Sequence, residues 1–217
     1  MDTHEAAYNA RLAATTPRKA DATDIPALSK LLTSAFVEDP VMAWGFREGG
    51  ALPGALKAYF DFSLKDQCVR HDAMYVAGDM QAAAVWLPPS GLGSLSLPMW
   101  RMLILLPTLL KISGWSRMGR AMAMGEALEK HHPPEPPHWY LFFLGVTPEL
   151  RGKGVGSAIL EATLKRADDD GMPAYLDNSN PKNTRLYERA GFRVVTEYHA
   201  RKDAPQILGM WRDARKP

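Results

Sequence analysis

Residues 144–157 read LGVTPELRGKGVGS, and this stretch decides how the rest of the chain is understood. Just before and into it, Trp139–Val146 (WYLFFLGV) is an aromatic, apolar run with Pro137 and Pro148 close on either side, the pattern of a buried strand. A turn follows at Pro148. Arg151, Gly152, Lys153, Gly154, Val155, Gly156 and Ser157 then open a helical pattern that places Val155, Ala158, Ile159, Ala162 and Leu164 toward a core. Alternate glycines let the backbone approach a ligand closely and turn several N–H groups toward one point. A helix N-terminus adds unpaired donors and partial positive charge, and Arg151 and Lys153 add full charges beside them. The segment is an anion cradle, and a pyrophosphate is its natural occupant.

Downstream, residues 173–177 read as a strand and 181–190 as a helix. Gly191 and Phe192 open a strand over 193–198, and 206–211 reads as a last, edge strand. This half alternates strand and helix, which predicts an α/β fold with a mixed sheet, parallel where Trp139–Val146 meets 173–177. Upstream, 73–77 and 82–87 form a hairpin around Gly78-Asp79. Before it lie two amphipathic helices. One spans 24–38, with Asp24 as N-cap, Pro26 just inside and Pro40 as the stop; the other spans 52–67. Residues 92–137 are expected to be a helical insertion, with helices over 97–112 and 115–130 separated by Ser113-Gly114, then a proline-rich linker. The first 16 residues, rich in alanine and threonine without apolar periodicity, read as a loose tail ahead of a single domain over 17–217.

Composition narrows the function classes. A chain of 217 residues with 46% apolar and 23% charged residues is globular rather than disordered. A balance of 26 basic to 24 acidic residues, net +2, gives no reason to expect a nucleic-acid partner. The single cysteine, Cys68, excludes a disulfide framework and fits a reducing, cytoplasmic setting. Arg101, Pro107 and Lys111 break the apolar stretch 92–112 short of the ~18 residues a membrane span requires. Residues 1–11 lack the apolar core of a secretory signal. His131, His132, Glu135 and His138 match no zinc spacing, so no metal is expected.

Three phosphate-binding patterns compete for the loop. A P-loop needs Ser or Thr after its lysine, and Lys153 is followed by Gly154. A dinucleotide fingerprint needs G-x-G-x-x-G, and the third glycine, Gly156, comes one position early. Asp177, closing the next strand, keeps that reading open as a ribose-binding acid. The third pattern, [QR]-x-x-G-x-[GA], is met in full by Arg151, Gly154 and Gly156. It resembles the coenzyme A loop of the GCN5-related N-acetyltransferase (GNAT) superfamily. The resemblance extends over roughly residues 17–213. Asn183, Tyr187 and LYERAGF (186–192) look like that family's next helix and strand, and Asp24, Ile25, Phe36 and Asp39-Pro40 like its opening helices. HWYL (138–141), AYLDNSNPKN (174–183) and MWR (210–212) look more narrowly like the puromycin N-acetyltransferase-like branch.

The resemblance implies direct transfer of an acetyl group from acetyl-CoA to a primary amine of a small molecule by a monomer or homodimer. It implies that Leu144, Gly145 and Val146 present backbone donors to the thioester carbonyl. Arg151 through Ser157 would hold the pyrophosphate, and Asn178 and Asn183 the pantetheine arm. Tyr187, one helical turn after Asn183, would protonate the departing thiolate. Relatives often carry a glutamate or histidine base four residues before Leu144; here that position is Tyr140. His138, whose imidazole suits neutral pH, stands first as base, with Glu38, Asp39 or a water chain as alternatives. A catalytically silent acyl-CoA sensor is the other reading the same motifs allow.

Overall fold

The computed structural model describes residues 3–94 and 99–215. Seven strands form one sheet in the order β1-β2-β3-β4-β5-β7-β6. They are β1 (Arg18–Lys19), β2 (Met74–Ala77), β3 (Ala82–Leu87), β4 (Trp139–Val146), β5 (Ala174–Asn178), β6 (Arg193–His199) and β7 (Gln206–Arg212). β4 and β5 run parallel, and the other neighbours pair antiparallel. Among the described residues seven α-helices flank the sheet: α1 (Thr3–Thr15), α2 (Ile25–Phe36), α3 (Pro40–Gly45), α4 (Leu52–Phe62), α5 (Met99–His131), α6 (Val155–Asp169) and α7 (Thr184–Arg189).

Period-two alternation in β3 divides the core between two layers. Ala83, Val85 and Leu87 face α2, α3, α4 and the end of α5, joined by Leu28, Leu32, Leu56, Phe60 and Phe143. Ala82, Ala84 and Trp86 face α1, α6 and α7, joined by Ile159, Leu160, Leu176 and Tyr187. All six side chains of β3 are buried, which is why this strand reads as a continuous apolar run.

The expected strands and the insertion are present, with five local differences. The expected tail forms α1, which docks on α6 through Ala10 and Ala14. Alanine has high helix propensity and permits close helix packing, yet a stripe that small leaves little hydrophobic period to read. Asp24 does not cap α2 with its side chain; Asp21 caps the preceding 3-10 turn, and Asp24 closes a capping box onto the Asp21 N–H at 3.1 Å. Pro40 starts α3 rather than only stopping α2, because Asp39 accepts the Val41 and Met42 N–H groups at 3.0 Å each. The expected helix 52–67 ends at Phe62 and continues as a π turn, Ser63–Cys68. β7 lies inside the sheet, between β5 and β6, so β6 is the edge. A strand returning from a hairpin can insert beside β5 as readily as it can extend the edge, and burial of nearly all of β7 selects the interior place. Gly114, at φ 64° and ψ 177°, breaks α5 into two arms where the Ser113-Gly114 boundary is expected. The expected first-arm start at Leu97 lies outside the described residues.

Candidate active site

β4 and β5 open the site by parting. Their ladder pairs Trp139 with Ala174 and Tyr140 with Tyr175. β4 continues to Val146 and β5 to Asn178, and a pocket lies between Leu141–Leu144 on one side and Leu176–Ser179 on the other. A bulge in β4 helps the divergence. Phe143 pairs with Val85 and Leu141 with Trp86, so Phe142 is an extra residue that bends the strand. Gly145 keeps the far side of β4 close to α2: a Cβ there would lie 2.8 Å from Leu32 Cδ2 and 3.2 Å from Ala35 Cβ.

At the end of β4 the chain enters the expected cradle. Gly152 and Gly154 hold φ of 72° and 81°, a region that costs a side-chain-bearing residue about 1–2 kcal/mol. Gly154 caps α6 without a side-chain hydrogen bond, so the N–H groups of Val155, Gly156 and Ser157 head an uncapped helix. Val155 itself is fully buried and contributes only backbone. A Cβ on Gly156 would meet Leu186 Cδ1 and Val146 Cγ2, each at 3.4 Å. This donor set fits a pyrophosphate. The Arg151 guanidinium is directed elsewhere: it binds Glu38 at 2.5 Å and the Ala35 carbonyl at 2.8 Å, tying the loop to the end of α2. Lys153 faces a cleft shared with Ala7, Tyr8 and Arg11 of α1, and Arg11 Cδ lies 3.4 Å from where a Cβ on Gly154 would stand. Arg11 stands beside the glycine turn, a neighbour that a tail reading does not anticipate.

Tyr187 and Asn183 reach the pocket between the strands together with Leu144 and Asn178. Tyr187 is buried, and burial, with Asp39 nearby, pushes its phenol above the usual tyrosine range. No hydrogen bond to its hydroxyl occurs among the described residues. The Asn178 amide is engaged locally, donating to Thr184 Oγ1 at 3.0 Å and accepting the Asn180 N–H at 3.2 Å. It shapes the turn into α7.

The base candidates separate clearly. His138 is 1% exposed and does not line the pocket. Its Nδ1–H donates to the Pro136 carbonyl at 2.8 Å, its Nε2 accepts from His132 Nε2 at 3.0 Å, and its ring packs 5.1 Å from Trp211. Burial lowers the pKa of both histidines, His132 to about 4. His138 is a neutral core residue here, because the proline-rich linker folds it inward. Glu38 is exposed and paired with Arg151. Asp39 does line the pocket; Oδ1 caps α3 and Oδ2 accepts from Ser179 Oγ at 2.5 Å, while burial raises its pKa.

A second carboxyl, the half-buried Asp177, lines the same pocket. Oδ1 accepts from the Tyr198 hydroxyl at 2.7 Å and the Tyr175 hydroxyl at 2.8 Å, and Oδ2 from Tyr140 at 3.0 Å. Burial raises its pKa against the lowering effect of those three bonds. Three tyrosines from three strands therefore hold this acid, which removes it as a ribose ligand at the cradle and weakens the dinucleotide reading.

Comparison with known proteins agrees with this geometry. Residues 91–192 match the family model described as the acetyltransferase (GNAT) family. The chain resembles GNAT proteins over this segment, just under half of its length. Its fold is shared with a solved structure described as histone acetyltransferase HPA2 and related acetyltransferase from Corynebacterium glutamicum. That structure is 25% identical with a TM-score of 0.66, covering 93% of this chain and 97% of that one. An agmatine N-acetyltransferase, 17% identical over 90% of this chain and 97% of its own, shares the fold at a TM-score of 0.60. Among curated proteins, the mycothiol acetyltransferase of Propionibacterium freudenreichii is 34% identical, covering 32% of this chain and 28% of the relative. That of Paenarthrobacter aurescens is 38% identical, covering 32% and 25%. This chain thus spans less than a third of the length of these curated relatives. Among its described residues no helix is long and apolar enough to cross a membrane, and no group of three potential metal ligands occurs.

Proposed function

We propose that this chain transfers the acetyl group of acetyl-CoA to a primary amine of a small molecule. The observation that carries the reading is the pocket between the parted strands, where Tyr187 and Asn183 meet two carboxyls, the buried Asp39 and the half-buried Asp177. No Lys, Arg or His is among its described lining residues. Such a pocket attracts an ammonium group and repels an anionic acceptor. Phe36, Tyr59, Phe142 and Met124 add aromatic and apolar walls, which favour a hydrophobic or aromatic amine over a polycation.

Acetyl-CoA supplies an activated thioester. The chain supplies the rest: N–H groups at the start of α6, with Lys153, hold the pyrophosphate, and Asn183 bonds the pantetheine arm. Backbone donors of Leu144 to Val146, on the open side of β4, polarise the carbonyl. The Tyr187 hydroxyl delivers a proton to the departing sulfur. Arg151 serves by fixing the loop against α2. Within the family, HWYL and MWR support placement near the puromycin N-acetyltransferase-like branch, and the curated relatives named for mycothiol support a small-molecule acceptor. The buried, unpaired Cys68 is consistent with work in a reducing cytoplasm.

Calorimetry with acetyl-CoA, followed by thiol release and mass spectrometry against an amine library, tests the reading. Saturable binding with acetylated cationic amines is expected. Absence of binding overturns it, and binding without turnover across the library replaces it with an acyl-CoA sensor.

A further inference from the structure

An amine that enters an acidic pocket arrives protonated and cannot attack until a proton leaves. We propose that Tyr140 and Asp177 form the relay that removes it, Tyr140 taking the proton from the acceptor ammonium while passing its own to Asp177. This inference deepens the acetyl-transfer reading and rests on it. Of the three tyrosines that bond Asp177, Tyr140 lines the pocket, and Tyr175 and Tyr198 are not among its described lining residues. Oδ1 of Asp177 already accepts two hydroxyls, while Oδ2 accepts Tyr140 alone, 3.0 Å away. The Tyr140 oxygen therefore keeps its lone pairs for a donor in the pocket. Asp39, the other carboxyl there, has Oδ1 held by two backbone N–H groups and Oδ2 by Ser179.

The balance is one proton moved two places. An N–H bond of the ammonium breaks and an O–H bond forms on Tyr140. The original Tyr140 O–H bond breaks and a carboxylic O–H forms on Asp177, and the freed nitrogen lone pair attacks. No tyrosinate is formed, which matters because burial pushes all three phenols upward. Burial also raises the proton affinity of Asp177, the direction a base for neutral pH requires. Among the surrounding groups, His131 works against the rise by lowering the Asp177 pKa, and burial outweighs it. His132 packs edge-on against Tyr140 at 4.9 Å and is held neutral, His131 stacks on Tyr198 at 4.1 Å, and Asp39 faces from the α3 cap. Tyr140 thus occupies the position where relatives often carry the base itself, and the carboxyl has moved one strand over.

The test compares a strongly basic arylalkylamine with trifluoroethylamine, which is largely neutral at pH 7 and needs no deprotonation. Single-turnover rates are measured for wild type, Tyr140→Phe and Asp177→Asn. Tyr140→Phe is expected to slow the basic amine by about 10²-fold or more, the usual scale for one proton-transfer group. It should leave trifluoroethylamine nearly unchanged, and the lost rate should return as pH rises toward the amine's own pKa. Equal losses on both amines, or no loss on either, overturn the relay. If Asp177→Asn melts below the assay temperature, Tyr140→Phe, which keeps the ring, decides alone. A wild type that binds acetyl-CoA but acetylates neither amine overturns the transfer reading, and the relay with it.

Discussion

Replacing Tyr187 with phenylalanine removes one hydroxyl from the pocket and leaves the ring, which packs 6.2 Å from Phe192. The hydroxyl has no partner among the described residues, so the variant loses no internal hydrogen bond and its stability should change by less than about 1 kcal/mol. The rate of acetyl transfer is a different matter. A single general acid contributes about 10²–10⁴-fold, equivalent to roughly 2.7–5.5 kcal/mol in the barrier. Burial and the nearby Asp39 raise the Tyr187 pKa, which makes tyrosinate costly. The same desolvation raises the proton affinity of a thiolate leaving into this pocket, which brings donor and acceptor back toward balance. The expected loss therefore falls in the lower part of the range, about 10²–10³-fold. Rapid-quench single-turnover measurements isolate the chemical step from product release, and calorimetry reports acetyl-CoA affinity separately. A lost rate with unchanged affinity marks an interaction made only in the transition state. An unchanged single-turnover rate in a folded variant would refute the assignment, as would a loss of affinity that accounts for the whole effect.

Gly154→Asp places a carboxylate in the cradle. At about 4 Å and an effective dielectric of 20 the repulsion of one phosphate charge is about 4 kcal/mol, near a thousandfold in Kd; Gly154→Ala, with backbone strain alone, should bind far better, and equal calorimetric losses would contradict the electrostatic argument. The neutral pair His132 and His138 should make stability fall with acid. Their native pKa values lie below 6.5, His132 at about 4, so between those limits the unfolded chain takes up protons the native pair refuses. The contribution of His132 is full above pH 6.5 and declines toward pH 4, and His138 acts in the same direction. Asp177 and Asp39 act with the opposite sign, because their native pKa values are raised. Urea unfolding of His132→Phe across that window should show a shallower slope, and an unaltered slope would sink the argument. Gly209 faces Asp177 across the sheet, and a Cβ there would lie 2.5 Å from the Tyr175 hydroxyl and against Thr196 Cγ2. Gly209→Ala should cost about 1–3 kcal/mol by pulling Tyr175 off the acid, and a double-mutant cycle with Tyr175→Phe should show coupling rather than additivity.

What was legible in the sequence was what local chemistry dictates. The turn into α6 could be read because glycines at 152, 154 and 156 punctuate the end of a strand pattern, and β4 because its apolar run is uninterrupted. The break in α5 was marked by Gly114, whose positive φ few other residues tolerate. The first helix escaped because its contact face is alanine, and the place of β7 because strand order depends on pairings made after the chain has turned back. His138 was misassigned for a related reason: its chemistry depends on His132 and Trp211 closing over it. The Asp177 cluster lay beyond reach altogether. It requires the register of Tyr140 with Tyr175, and a third tyrosine brought by β6.

The break at Gly114 also sets which parts of the insertion can diverge without disturbing the pocket. Arg47 clasps the carbonyls of Leu110 and Lys111 at 2.9 Å each, and the carbonyl of Ile112 accepts the Arg47 backbone N–H. Just past the bend, Arg117 grips the carbonyls of Ala43 and Trp44. The elbow is thus riveted on both sides to the segment around α3. Beyond it, Met124 and Leu128 form part of the pocket wall, while before it Leu103 and Ile104 stand exposed. Strain applied to the outer arm ends at the rivets, so that arm can lengthen, shorten or change its surface while the pocket wall keeps its shape.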